Sequence, residues 1–319
     1  MESKSKIKIL YLTPGCFDKG GISRYCRYQI SSLRDIFNFE NIKVLSLLGV
    51  DSNSIEKQFT VDWHSNGNSI LSKFKFCAVA FYYTMKFKPS IIHVAHINFS
   101  GFARILCYLF GSKLILNVYG REIWTKLSFD AKWGLSQSNV IISDCIFTKN
   151  YILNKFSINK EKIHVIWDCV DIEIFYPTNY NKEVVNKYNL PNPNNYKIIL
   201  TLGRISKNTR YKGYERLIDL FKKISIDFPD VRLIFGGGGD FLFNLKKYAK
   251  KSGIGECIYF TDFIDENDLP DLYRICDIFS LISERDINQG EGLPLTPLEA
   301  MSCGKPILVG NEDGSSEAI

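Results

Sequence analysis

Short apolar runs alternate with longer stretches of helical period along the whole chain. In the first half, K-I-K-I-L-Y-L (6–12) predicts a buried strand, followed by a glycine loop and a helix over about 22–36. I-K-V-L-S-L-L (42–48) predicts a second strand, and a helix follows over about 69–87. I-I-H-V-A (91–95), K-L-I-L-N-V (113–118), N-V-I-I-S (139–143) and K-I-H-V-I (162–166) are further β-rich runs. The polar stretch Tyr176–Asn195, with P-T-N-Y-N and L-P-N-P-N-N, predicts a linker. The alternation then restarts, with strands at 196–203, 231–236, 258–261, 277–282 and 306–309 and helices at 213–227, 240–252, 266–275 and 296–303. Strands alternating with helices imply parallel sheets with crossovers. The expected class is α/β, with two doubly wound, Rossmann-like domains: residues 1–177, a hinge at 178–195, and residues 196–319. The last residues, G-S-S-E-A-I, read as the start of a helix, so the second domain is expected to be incomplete at its C-terminal end.

Composition fits two packed cores: 319 residues, 45% hydrophobic and 14% aromatic. The first apolar run is too short for a signal peptide, and no uncharged apolar run reaches about 18 residues. Nine cysteines without a C-x-x-C pair indicate neither a disulfide framework nor a zinc ribbon, and a reducing cytoplasm is the simplest setting. Charge is uneven. Residues 1–175 hold 22 Lys and Arg against 14 Asp and Glu, and no acid occurs between Trp63 and Arg121. Lys73, Lys75, Lys86, Lys88, Arg104 and Lys113 lie in that stretch, with Phe74, Phe76, Phe81, Tyr82, Tyr83 and Phe87 among them. Two readings stand: a surface for peripheral contact with an anionic membrane, or a buried helix with a solvated basic rim. No helix-turn-helix, RNA-binding signature or finger spacing accompanies the charge, so nucleic acid is not an expected partner.

Four segments carry candidate chemistry. Gly20 and Gly21 stand between the first strand and first helix, where backbone N–H groups can approach a phosphate; a tight turn needing positive φ explains them equally well. The spacing is not G-x-G-x-x-G, which argues against a nicotinamide enzyme. In L-G-R-I-S-K-N-T-R-Y-K-G, Arg204 follows Gly203 at a strand end and Lys212 precedes a helix. Two cations there suit a phosphate-bearing ligand, although solvated surface cations are the plainer reading. Gly236–Gly239 before Asp240 either admits a ligand or is a loose loop. Finally, E-G-L-P-L-T-P-L-E (291–299) places two carboxylates eight positions apart across a loop that opens a helix. Glu299 belongs either to a capping box, with Thr296 as cap and Pro297 at the first helical position, or to a ligand's hydroxyls. No metal-ligand cluster is evident.

With these motifs in order, the chain resembles the retaining glycosyltransferases of family 4, which have the GT-B fold of two Rossmann-like domains facing a cleft. The resemblance runs through G-G-I-S-R (20–24), N-V-Y-G-R-E (117–122), the D-C-V-D run (168–171), L-G-R…K-G (202–213), G-G-G-G-D (236–240) and the E-x7-E run (291–299). It implies transfer of a sugar from a nucleotide-diphosphate sugar to a glycan or lipid-linked acceptor, with retention of configuration and without a metal or other cofactor, in cell-surface polysaccharide synthesis. It implies Arg204 and Lys212 on the diphosphate, Glu291 on the sugar and Glu299 on the ribose. Gly20, Gly21, Gly203, Gly292 and Leu293 would complete the donor site, and His96, Tyr119 and Arg121 would stand on the acceptor side. Tyr119 occupies a position where many relatives carry His. The alternatives left open are a shortened protein that binds nucleotide or a partner without turnover, and another GT-B enzyme such as a sugar-nucleotide epimerase. The expected location is the cytoplasm, including the inner face of the cell membrane.

Overall fold

The computed structural model describes residues 7–319, except 52, 53, 55, 56 and 287. It divides into two units, Met1–Asp168 and Cys169–Ile319.

The first unit runs β1 (Ile9–Thr13), α1 (Gly21–Phe37), β2 (Ile42–Ser46), β3 (Trp63–His64), α2 (Ile70–Phe87), β4 (Ile91–Val94), α3 (Ser100–Phe110), β5 (Lys113–Val118), α4 (Arg121–Trp124), α5 (Phe129–Gln137), β6 (Val140–Ser143), α6 (Ile146–Lys155) and β7 (Ile163–Val165). Its strands lie in the order β3-β2-β1-β4-β5-β6-β7, and every pairing is parallel. Helices cover both faces, so the central strands are apolar on both sides. Leu10 and Leu12 of β1 pack in one core with Phe76 of α2, Leu106 of α3, Leu135 of α5 and Ile152 of α6. Ile9 and Tyr11 point the other way, to Cys26 and Ile30 of α1.

The second unit contains α7 (Lys182–Lys187), β8 (Lys197–Leu202), α8 (Tyr214–Asp227), β9 (Val231–Gly236), α9 (Leu242–Lys251), β10 (Ile258–Phe260), α10 (Leu269–Ile275), β11 (Ile278–Leu281), α11 (Leu295–Ser302) and β12 (Ile307–Val309). Its parallel strands lie in the order β10-β9-β8-β11-β12. Leu217, Ile218 and Phe221 of α8 and Leu245 of α9 cover one face. Leu272 and Tyr273 of α10 and Ala300 of α11 cover the other.

Both sheets reverse their winding direction once, between β1 and β4 in the first unit and between β8 and β11 in the second. Ligands of doubly wound sheets bind at the carboxyl ends of the strands flanking such a switch. The loops after β8 and β11 are those that carry Arg204, Lys212 and Glu291.

Four points differ from the expectations. The division falls between Asp168 and Cys169 rather than at 178–195. Much of the expected hinge is packed: Val184 and Leu190 lie in the second unit's core, as does Phe175 just before it, and 182–187 form α7. Helices α3, α5 and α6 were not foreseen, because their short apolar faces merge with the strands beside them. The closing G-S-S-E-A segment is a 3-10 turn, Gly314–Ala318, capped by the Asp313 carboxylate accepting from Ser315 N.

Candidate functional site

In the second unit the loop after β8 is fastened from two sides. Thr209 Oγ1 donates to the Arg204 carbonyl at 2.6 Å and Tyr214 Oη donates to it at 3.2 Å. On the other side the loop is zipped to the glycine turn: Gly203 N bonds Gly236 O at 3.0 Å, Ile205 N bonds Gly238 O at 3.0 Å, and Phe241 N bonds Ile205 O at 3.1 Å. Gly237 has φ +113, and a Cβ there would stand 2.1 Å from the Gly203 carbonyl. The glycine turn is therefore neither loose nor open to a ligand at that point: it packs against the backbone that presents Arg204. The Arg204 side chain is exposed.

Lys212 is delivered by a second close approach. Gly213 (φ +76) lets the start of α8 press against the carbonyl of Ile282, just beyond β11, where a Cβ would stand 2.5 Å from that oxygen. This brings Lys212 to Glu291, 79 positions away, and the two side chains form an ion pair. Only 12% and 14% of their side-chain surface is exposed. Burial pulls the Lys212 ammonium down, but the Glu291 carboxylate, then Tyr211 and Tyr214, outweigh it and hold the pKa up. Lys212 is thus a fixed cation near neutral pH. Burial likewise drives the Tyr214 phenol up.

Glu291 is held in turn by Asp313, which the sequence did not single out, and by Gly314 of the closing G-S-S-E-A-I run. Its N–H donates to Asp313 Oδ2 at 2.8 Å, and Gly314 N donates to its carbonyl at 3.0 Å. Asp313 is fully buried and also accepts from Ser283 Oγ at 3.2 Å and Ser315 N at 3.0 Å. The only advance signal was the Asp-Gly-Ser order, which marks a turn.

Gly292 and Leu293 follow at the entry to α11. The helix begins at Leu295 behind Pro294, with no side-chain cap, so the capping box expected from Thr296 and Pro297 is not formed. Pro294 has extended backbone (φ −76, ψ 135) and occupies the cap position itself. Glu299 is instead buried, 1% exposed, and accepts a 2.5 Å hydrogen bond from Tyr273 Oη on α10.

The other expected residues lie in the first unit. Gly20 caps α1 at φ −65, so no positive φ is needed there. Its N–H donates to Asp18 Oδ2 at 3.2 Å, and Ser23 Oγ bonds the other Asp18 oxygen. A carboxylate therefore already lies across the first turn that begins at Gly21, where a helix N-terminus favours an anion. His96 follows β4, and its Nδ1 accepts from Asn98 N at 3.3 Å. Burial pulls the imidazole down, so it is neutral at pH 7. Tyr119 follows β5 and is buried; its oxygen accepts from Asn117 Nδ2 at 3.0 Å. Desolvation first, then Cys26, drives the phenol well above its ordinary value, which unsuits it as a base. Arg121 is exposed at the start of α4. His96 and Tyr119 thus stand beyond neighbouring strands, and no bond between them is formed among the described residues.

Below them lies a buried polar chain. His93 Nε2 meets Asn117 Oδ1 at 2.9 Å, while Asn117 Nδ2 and Tyr11 Oη donate to Gln29 Oε1 at 2.6 and 2.7 Å. Desolvation pulls His93 down to about 4, against a smaller upward effect of the Asn117 bond. Asp168, half-buried at the end of the first unit, has an oxygen that is buried without a hydrogen-bond partner. Desolvation, then the Asp144 charge, pushes its carboxyl well up. Among the described residues no group of three or more His, Cys, Asp or Glu is placed to hold a metal ion. No helix among them is long and apolar enough to cross a membrane.

Residues 185–319 match the family described as glycosyl transferases group 1. The chain is 27% identical over 191 residues to the mannosylfructose-phosphate synthase of Agrobacterium fabrum, covering 57% of this chain and 39% of that protein. It is 31% identical over 125 residues to a GDP-mannose-dependent alpha-(1-6)-phosphatidylinositol monomannoside mannosyltransferase of Mycolicibacterium smegmatis, covering 38% and 32%. The matched stretches thus span about a third of the length of these curated relatives. Among solved structures, Anabaena HepE in complex with UDP superposes with a TM-score of 0.78 at 17% identity, over 98% of this chain and 83% of that one. Sucrose-phosphate synthase of Thermosynechococcus elongatus does so with a TM-score of 0.75 at 17% identity, over 96% and 82%. At such identity the likeness is one of fold.

Proposed function

We propose, from the match of residues 185–319 to the glycosyl transferases group 1 family and the likeness in fold to GT-B structures, that the protein transfers a sugar from a nucleotide-diphosphate sugar to a glycan or lipid-linked acceptor of a cell-surface polysaccharide, with retention of configuration. The observation that carries this reading is the buried Lys212–Glu291 pair at the switch point of the second sheet, beside the loop that presents Arg204.

Arg204 and Lys212 neutralise the diphosphate, so its departure needs no metal. The ammonium has three donors, and one can stay on Glu291 while another takes a phosphate oxygen. Glu291, oriented by Asp313 through its backbone, accepts from the donor sugar's hydroxyls. Glu299, bonded by Tyr273, is assigned to the ribose hydroxyls. In the transfer step the bond from the anomeric carbon to the phosphate oxygen breaks. A bond to the acceptor oxygen forms on the same face, and the acceptor's proton passes to the leaving phosphate. Charge on that phosphate is what the fixed cations stabilise. His96, at the carboxyl end of β4 in the first unit, is assigned to the acceptor side.

The test is donor consumption. The chain is incubated with UDP-, GDP- and ADP-hexoses and a bacterial lipid extract, and nucleoside diphosphate release and the anomeric proton coupling of the product are followed by NMR. Release from one donor class with the donor's own anomeric configuration supports the reading. An inverted product, a nucleotide sugar converted without release, or bound nucleotide without turnover overturns it, the last two in favour of an epimerase and of a binding protein.

A further inference from the structure

Helix α2 is apolar nearly all round, yet only one side of it is covered. Phe76, Ala80 and Thr84 are buried against the sheet. On the opposite side Ile70, Leu71, Phe74, Phe81, Tyr82 and Met85 are exposed by 75%, 63%, 70%, 43%, 53% and 42%. At 3.6 residues per turn these six share an arc of roughly 120°. Lys75 and Lys86 border it on one edge. A surface helix of a globular protein presents a polar outer face, and one that is apolar all round is ordinarily buried or in lipid.

The patch continues onto α3, which packs beside α2 on the same face of the sheet. The Phe81 and Phe110 rings meet edge to face with centroids 5.4 Å apart. Beyond them Ile105, Tyr108 and Leu109 are exposed by 48%, 79% and 58%. Contiguous apolar surface of this kind marks a contact site.

Charge decides among occupants. Residues 63–121 contain no Asp or Glu and seven Lys or Arg. Lys73, Lys75, Lys86 and Lys88 form no ion pair among the described residues. A second copy would set this face against itself under two-fold symmetry and oppose lysines with lysines. A bilayer takes both features: aromatic and aliphatic side chains enter the acyl boundary, and lysines lay their stems on it with the ammonium groups at the headgroups. We propose that the α2–α3 face docks the protein on a bilayer bearing anionic phospholipid headgroups. The inference deepens the reading of a lipid-linked acceptor and rests on that reading for its purpose, while the patch itself stands without it.

The experiment is flotation with phosphatidylcholine vesicles, with and without phosphatidylglycerol, at low and high salt. It uses the chain and two variants, Phe74→Ser/Tyr82→Ser and Lys75→Ser/Lys86→Ser. All four positions are exposed, so unchanged melting temperatures show that both variants fold. Expected are binding to the anionic vesicles only, about fivefold weaker partitioning for each lysine removed, and about tenfold or greater loss for the aromatic pair. Absence from anionic vesicles at low salt, or binding unaltered in both variants, overturns the proposal. Self-association in the absence of vesicles that Phe74→Ser/Tyr82→Ser abolishes also overturns it, in favour of a second copy. Nucleotide-sugar-dependent stabilisation is measured on the same samples without vesicles: its persistence without flotation refutes docking alone, and its absence with flotation refutes the donor reading alone.

Discussion

Removing one partner of the Lys212–Glu291 pair leaves a charge in a site that is mostly closed to water. At an effective dielectric of about 20, two unit charges in contact attract by about 4 kcal/mol. Part of that is offset by the cost of desolvating both groups. Exposures of 12% and 14% place the pair near the buried limit, where loss of one partner costs about 3–5 kcal/mol, rather than the surface limit of about 0–1 kcal/mol. Glu291→Gln and Lys212→Met are therefore each expected to destabilise the second unit by about 2–4 kcal/mol. The double variant is expected to lose less than the sum, with a coupling of about 2 kcal/mol. For a unit of this size the single variants should melt about 5–12 °C lower. Urea unfolding of the four proteins, followed by tryptophan fluorescence and circular dichroism, closes the cycle. Additive losses, with coupling under about 0.5 kcal/mol, would refute the pair as a buried interaction and remove the reason for placing Lys212 at the ligand.

The remaining predictions concern other sites. His93 is held at about 4 when folded and near 6.5 when unfolded, so the unfolded chain binds more protons between those values and stability is lost as pH falls through that window. The loss is about 3 kcal/mol at about 1.4 kcal/mol per unit, and His93→Gln should remove it from a pH series of urea midpoints. Asp168 has the opposite sign: its folded carboxyl keeps a proton that the unfolded one has lost, so its contribution is lost as pH rises above the ordinary carboxylate range. Asp168→Asn should raise the melting temperature at pH 7 by about 3 °C or more, and a fall would show the charge to be compensated. Gly237→Ala, whose Cβ would meet the Gly203 carbonyl at 2.1 Å, should cost about 2 kcal/mol or more in a thermal melt and weaken donor binding through the Arg204 loop. Tyr273→Phe removes a bond to a buried carboxylate and should cost about 1.5–3 kcal/mol, and wild-type stability would mean that Glu299 does not depend on Tyr273.

Much of the second sheet was legible because its strands are short apolar runs bounded by glycine and polar turns, and β8 to β12 stand within a residue or two of their expected places. The same contrast is weak in the first unit, where α3 lies between two apolar strands and presents Ile105, Tyr108 and Leu109 outward. The hinge was misplaced because 178–195 is polar in composition while its few apolar residues, Val184 and Leu190, are the buried ones. The capping box failed for a local reason: T-P-L-E satisfies the pattern, but the helix starts two residues before Pro297, at Leu295. Arg204, Lys212 and Glu291 were legible as site candidates through their spacing and resemblance. That Lys212 and Glu291 bind each other, and that Asp313 fixes Glu291, depends on the switch between β8 and β11, which no local spacing encodes.

The central claim is a nucleotide-sugar site on the second unit built from Arg204, Lys212, Glu291 and Glu299. The most direct measurement is thermal melting of the chain with UDP-, GDP- and ADP-sugars, repeated with Arg204→Ala and Glu299→Ala. A ligand bound only by the folded state raises the midpoint by mass action, by an increment equivalent to about 2.7 kcal/mol at a hundredfold excess over its dissociation constant. The account predicts such a rise with one nucleotide class, lost in both variants. A rise that survives in both variants would place the nucleotide elsewhere and contradict it, as would a cooperative melt unmoved by every donor.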